Sequence, residues 1–113
     1  MTKEYYFREG CYITEYHNTD LDPESSIAQA RVEIGATTQW HTLENTSERY
    51  LILEGKGLAE KGDNSAVTLV RGDVFLIPPG TKQRIKNIGD CDLIFLAICT
   101  PRFVESNYIS LDG

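Results

Sequence analysis

Three side chains with donor atoms stand out along this sequence: His41, Glu48 and Gln83. A neutral imidazole, a carboxylate and a carboxamide oxygen each carry a lone pair, so together they can ligate Fe(II), Mn(II), Zn(II) or Ni(II), with water completing the shell. The same residues support a metal-free reading. A carboxylate beside an imidazole raises its proton affinity and fixes its tautomer, which makes His41 and Glu48 candidates for acid or base catalysis near neutral pH. A third reading is structural: His41 and Glu48 form a hydrogen-bonded pair, with Gln83 bound to one of them or to water, as buried polar groups require. All three readings need the side chains to share one interior.

The elements that would bring them together are strands. Gln39, His41 and Leu43 fall at one parity of an extended stretch, and the polar turn Glu44-Asn45-Thr46-Ser47 sends the chain back through Glu48, Tyr50 and Ile52. His41 and Glu48 are therefore expected to meet across a hairpin. Further on, Lys82, Arg84 and Lys86 share one parity and Gln83 and Ile85 the other, which turns the charges to water and Gln83 inward. Gln39, Leu43, Tyr50, Ile52 and Ile85 are then expected to line a mostly apolar pocket with a few polar groups, the makeup of a small-molecule site. It is equally the makeup of a barrel core, filled by Phe75 or Trp40. Trp40 has the opposite parity to His41 and is expected to pack outside.

The rest of the chain follows the same pattern of short strands and sharp turns. Tyr5, Tyr6 and Phe7, followed by Cys11, Tyr12, Ile13 and Tyr16, read as one or two aromatic edge strands within 5–16 that need cover, which a partner's sheet in a homodimer would supply. Asn18 to Ser26 is a polar loop. Ile27 to Ile34 alternates, with Ala28, Ala30, Val32 and Ile34 at one parity and Gln29, Arg31 and Glu33 at the other. Lys61-Gly62-Asp63-Asn64 is a hairpin turn. Val74 to Ile77 and Leu93 to Ile98 are apolar at both parities and are predicted to be central strands buried on both faces. The tail, 100–113, is predicted to cover the barrel as a short helical or irregular segment. Turns every eight to twelve residues between such strands mark an all-β sandwich or barrel.

On these residues the sequence resembles the cupin family. The first cupin motif, G-x5-H-x-H-x4-E-x6-G, is met without a gap by Gly35, His41, Glu48 and Gly55, with Leu43 at the second histidine position. The second, G-x5-P-x-G-x2-H-x3-N, is met by Gly72, Pro78, Gly80 and Asn87, with Gln83 at its histidine position. The resemblance implies a cupin-type double-stranded β-helix, a jelly-roll barrel, in a single domain over 1–113, with the motifs at about 35–55 and 72–87. Cupins that bind a metal typically use three histidines and the glutamate, and two of those four positions depart from the pattern here. The expected function is binding of a small molecule, with a divalent metal as a further occupant of the barrel; the alternatives are a metal-dependent dioxygenase, isomerase or lyase, and a non-catalytic accessory protein with a filled barrel.

Composition narrows the partners. The chain has 113 residues, enough for one core, with 17 acidic and 11 basic side chains and a formal net charge of −6. Nucleic acid is not expected, because phosphate binding needs a concentrated basic face. No membrane association is expected either, since the start lacks the apolar run of a signal peptide and no apolar stretch nears the roughly 20 residues that span a bilayer. Cys11, Cys91 and Cys99 show no pairing motif, so reduced thiols in a cytoplasm are expected, with Cys91 and Cys99 acting as small hydrophobes. His17 is expected to be exposed. Arg49 and Arg102 read as surface ion-pair residues that could otherwise meet an anionic ligand at the mouth.

Overall fold

Period-two alternation of apolar and polar residues builds nearly every element of this chain. The computed structural model describes residues 3–111. Positions 1, 2, 112 and 113, the ends of the predicted domain and of its tail, lie outside them. In chain order the strands are β1 (Tyr5–Phe7), β2 (Cys11–His17), β3 (Ser26–Val32), β4 (His41–Leu43), β5 (Ser47–Glu54), β6 (Lys56–Lys61), β7 (Val67–Val70), β8 (Val74–Ile77), β9 (Gln83–Asn87), β10 (Leu93–Thr100) and β11 (Tyr108–Ser110). They form two antiparallel sheets, a six-stranded one in the order β1-β2-β3-β10-β5-β8 and a five-stranded one in the order β11-β4-β9-β6-β7. This is the predicted all-β jelly roll.

Four local expectations are corrected. The strands carrying His41 and Glu48 are not a hairpin: β4 belongs to the five-stranded sheet and β5 to the six-stranded one. The residues between them carry the chain from one sheet to the other, so the two side chains oppose each other across the interior. Secondly, β8 is an edge strand, with Val74 61% and Leu76 46% exposed, while β10 is central, between β3 and β5. Apolar runs at both parities do not distinguish burial from an apolar outer face. Thirdly, the tail forms a 3₁₀ turn at Glu105–Asn107 and then β11, which pairs with β4 by placing Tyr108 opposite Leu43 and Ser110 opposite His41. Fourthly, Cys91 is exposed, whereas Cys11 and Cys99 are buried, and all three are free thiols.

The interior divides into two parts. Val32, Tyr50, Ile52, Ala59, Phe75, Ile77, Ile85, Leu93 and Phe95 belong to one packed cluster, and Leu43, Cys99 and Tyr108, with Phe7 and Phe103 against them, make a second. Two framework residues of the motifs close the packed end. Asn87 is buried and its Nδ2 donates to the carbonyls of Val32 (2.9 Å) and Cys91 (2.8 Å). Gly55 has φ +88°, and a Cβ there would lie 2.8 Å from the Asp92 carbonyl oxygen, so both conformation and space demand glycine.

Candidate functional site

The site begins with one register pair, His41 on β4 opposite Gln83 on β9. Residues facing each other across an antiparallel pair share a face, and both side chains are buried. The His41 Nδ1 lies 2.7 Å from the Gln39 carbonyl oxygen. A carbonyl only accepts, so Nδ1 carries a proton and donates, and Nε2 is turned inward. That Nε2 lies 3.6 Å from Glu9 Oε1. The Tyr108 ring stacks on the imidazole at 5.0 Å with an interplanar angle of 18°.

Glu9 arrives from the turn between β1 and β2. That turn is laid on the segment before β4: the Gln39 amide donates to the Glu9 carbonyl at 2.7 Å, and Gly10, at φ +102°, sits close against Thr37 and Thr38. Cys11 Sγ donates to Glu9 Oε2 at 3.4 Å. Burial, with Glu9's charge second, pushes the Cys11 thiol well up, so it is not a nucleophile at neutral pH.

Glu48 stands on the opposing sheet, on β5 between Ile77 of β8 and Cys99 of β10. It is 8% exposed, and its Oε1 has no hydrogen-bond partner. Burial, reinforced by the charge of Glu9, pushes its carboxyl up to about 8, against a smaller lowering influence from the Gln83 carboxamide. That carboxamide is close enough to act on Glu48, yet its Nε2 and the Glu48 Oε1 both lie outside full hydrogen-bond geometry. Gln83 is held instead by Tyr50, whose hydroxyl donates to Gln83 Oε1. The hydrogen-bonded His41–Glu48 pair of the structural reading therefore gives way to two other contacts, His41 with Gln39 and Glu9, and Gln83 with Tyr50.

A cavity of about 70 Å³ opens between the sheets, and His41, Glu48, Glu9, Leu43, Tyr50 and Tyr108 are on its wall. Space exists there because Ala28, Ala30 and Ala97 present methyl groups where larger residues would fill the lumen. Ala28 and Ala97 are direct partners across β3 and β10. Of the predicted pocket residues, Leu43 and Tyr50 line this cavity, while Ile52 and Ile85 lie in the packed cluster. Gln39 is exposed and contributes its backbone. Phe75 does not plug the opening but packs against Tyr50 at 6.0 Å. Trp40 packs outside, under Lys82 and Arg84 at 5.0 and 4.4 Å.

As a metal site this donor set is sparse. The Gln83 oxygen accepts from the Tyr50 hydroxyl, and a carboxamide oxygen is a poorer ligand than the imidazole that the motif carries at this position. Leu43 offers no donor, so two of the four usual ligand positions lack an imidazole. Of the tentative set His41, Glu48 and Gln83, only His41 and Glu48 are strong ligands, and among the described residues no three His, Cys, Asp or Glu side chains gather as a metal cluster. The arginines do not reach the cavity either. Arg49 donates to Thr100 Oγ1 and Arg102 to Asn18 Oδ1. His17 is exposed, as expected, and pairs with Asp22 at 2.7 Å.

Sequence reasoning missed Glu9, Glu15, Cys99 and Tyr108, all on the cavity wall. Glu9 precedes a glycine in a short turn between aromatic strands, a signal of a hairpin and not of a site. Tyr108 sits in a tail without a readable period.

Residues 28–99 match the family model described as Cupin domain. The chain is 35% identical over 103 residues, 89% of its length and 82% of the relative's, to uncharacterized protein MJ1618 of Methanocaldococcus jannaschii. Among solved structures it resembles Pac13 of Streptomyces, a nucleoside dehydratase, with TM-score 0.80 and 20% identity over 97% of this chain and 84% of that one. It also resembles KdgF from Halomonas sp., with TM-score 0.79 and 17% identity over 92% of this chain and 90% of that one. A predicted oxalate decarboxylase of Thermotoga maritima gives TM-score 0.73 and 24% identity over 88% and 91%. At these identities the three structures speak to the fold. Motif spacing, sheet order and the family match over most of the chain agree, and this chain belongs to the cupin family.

Proposed function

We propose that this cupin barrel binds a small molecule in the cavity between His41 and Glu48 and exchanges protons with it without a resident metal. One observation carries the reading: a buried carboxyl with an unpartnered oxygen, Glu48, faces an imidazole with its Nε2 turned inward across a cavity. A neutral carboxylic acid donates and a neutral imidazole accepts, which is the division of roles that proton transfer across a bound molecule needs. The cavity favours this reading over a barrel filled by its own side chains, and the donor set favours it over metal-dependent chemistry. Pac13, a nucleoside dehydratase of the same fold, lends support, since loss of water is a reaction of this proton-exchanging kind.

Binding is tested by titrating the protein with a set of small hydroxy, oxo and amino compounds, followed by NMR, beside the variant Ala28→Leu, which fills the cavity. Shifts at Glu48, Tyr50 and Tyr108 that vanish in the folded variant are expected. Shifts that persist in it, or none in the wild type, would sink the reading. Metal analysis after exposure to Mn(II), Fe(II), Ni(II) and Zn(II) is expected to remain far below one equivalent.

The proposal includes a homodimer. The outer face of the six-stranded sheet carries exposed Val74 and Leu76 beside half-buried Leu51 and Leu96, an apolar surface that a second copy would cover. Three free cysteines suit a reducing cytoplasm.

A further inference from the structure

The charge on the cavity wall is one-sided. Glu9, Glu15 and Glu48 line it with His41, and among the described residues no lysine or arginine does. The nearby arginines are committed elsewhere: Arg8 to Glu105 at 2.7 Å, Arg49 to Thr100 and Arg102 to Asn18. An anion entering here would meet carboxyl groups, and the one guanidinium packed on the wall's rings, Arg8, is paired with Glu105 outside the lining. Ionising a buried carboxyl without a counter-charge is costly, and a bound cation stabilises the ionised form.

Two further features ask for a donor. Glu48, nine-tenths buried, points an unpartnered Oε1 at the cavity. On the opposite wall the His41 Nε2 and the Glu9 Oε1 face each other at 3.6 Å, beyond direct hydrogen-bond reach. A group with several N–H bonds entering the cavity meets acceptor atoms on both walls. Around them stand the rings of Phe7, Tyr50, Phe95, Phe103 and Tyr108, whose faces attract positive charge. Two of those rings already hold a cation, since the Arg8 guanidinium lies 5.1 Å from the Phe7 centroid and 4.5 Å from that of Tyr108.

We propose that the cavity receives a small organic cation, an ammonium group on a short apolar body, with the nitrogen between Glu9, His41 and Glu48 and the carbon chain against the alanines and rings. This rests on the barrel being a small-molecule site. It adds the class of molecule, which the fold does not dictate. A cavity of about 70 Å³ limits the body to a few carbons.

Three probes with three carbons each and different charge test it by calorimetric titration of the wild-type protein: propylammonium, propanol and propionate. Propylammonium is expected to bind at least about tenfold tighter than propanol, a margin of about 1.4 kcal/mol, and propionate is expected not to bind. Glu9→Gln, checked for folding by its thermal midpoint, is expected to remove most of that margin. The wild-type comparison stands by itself if that variant does not fold. Equal or better binding of propanol or propionate overturns the cation assignment while leaving the small-molecule reading in place. Silence from all three overturns the assignment too, and the wider compound set with Ala28→Leu then decides the small-molecule reading separately.

Discussion

Glu48 gives this barrel a pH signature opposite in sign to that of an ordinary surface carboxylate. Its carboxyl has an ordinary value of 4.5 and is raised to about 8 in the fold, first by burial and then by the charge of Glu9. Between those values the folded protein holds a proton that the unfolded chain has released, so stability falls as pH rises through the window, by up to about 1.4 kcal/mol per pH unit. Below the lower value both states are protonated, and the penalty is absent. Glu48→Gln keeps the shape and removes the titration. Its urea midpoint is expected to be nearly flat from about pH 5 to about pH 8 while that of the wild type declines; parallel declines would show that another group is responsible. The sequence made Glu48 legible as a framework residue, because its distance from His41 and Gly55 is a motif spacing. Its protonation was not legible, since it depends on burial and on a carboxylate 39 positions earlier in the chain.

At the scale of elements, period-two parity located most strands and misjudged their surroundings in two places. Val74 to Ile77 reads as doubly buried because both parities are apolar, yet β8 has a neighbour on one side only and an exposed face. Parity places Gln39 in the strand of His41, but β4 begins at His41 and the turn before it is fixed by Glu9. Turn residues were read more securely, because a left-handed backbone is a local demand. Gly55→Ala tests that demand, since it adds a strained φ to a 2.8 Å encounter with the Asp92 carbonyl at the packed end. A loss of about 2 kcal/mol or more is expected by chemical denaturation, while the exposed Ile34→Ala should change stability by no more than about 0.5 kcal/mol. Similar values for the two variants would contradict the close approach.

For the whole molecule, the arrangement of two sheets sets both an interior and an unpaired outer face. If a second copy covers the outer face of the six-stranded sheet, the double variant Val74→Lys and Leu76→Lys should sediment as a monomer with an unchanged circular dichroism spectrum, where the wild type sediments as a dimer. A monomeric wild type would end that proposal. None of the described helical segments is long and apolar enough to cross a membrane. What the sequence determined by itself was local and periodic: the parity of each strand, the positions that must turn, and two spacings that name the family, since these depend on residues within one or two turns of each other. Tertiary structure alone decided that His41 and Glu48 face each other from different sheets, that Gln83 bonds Tyr50, and that Glu9 and Tyr108 come from opposite ends of the chain to meet at one imidazole. Charge and packing act through space, and no periodicity along the chain encodes which distant side chains that space will hold.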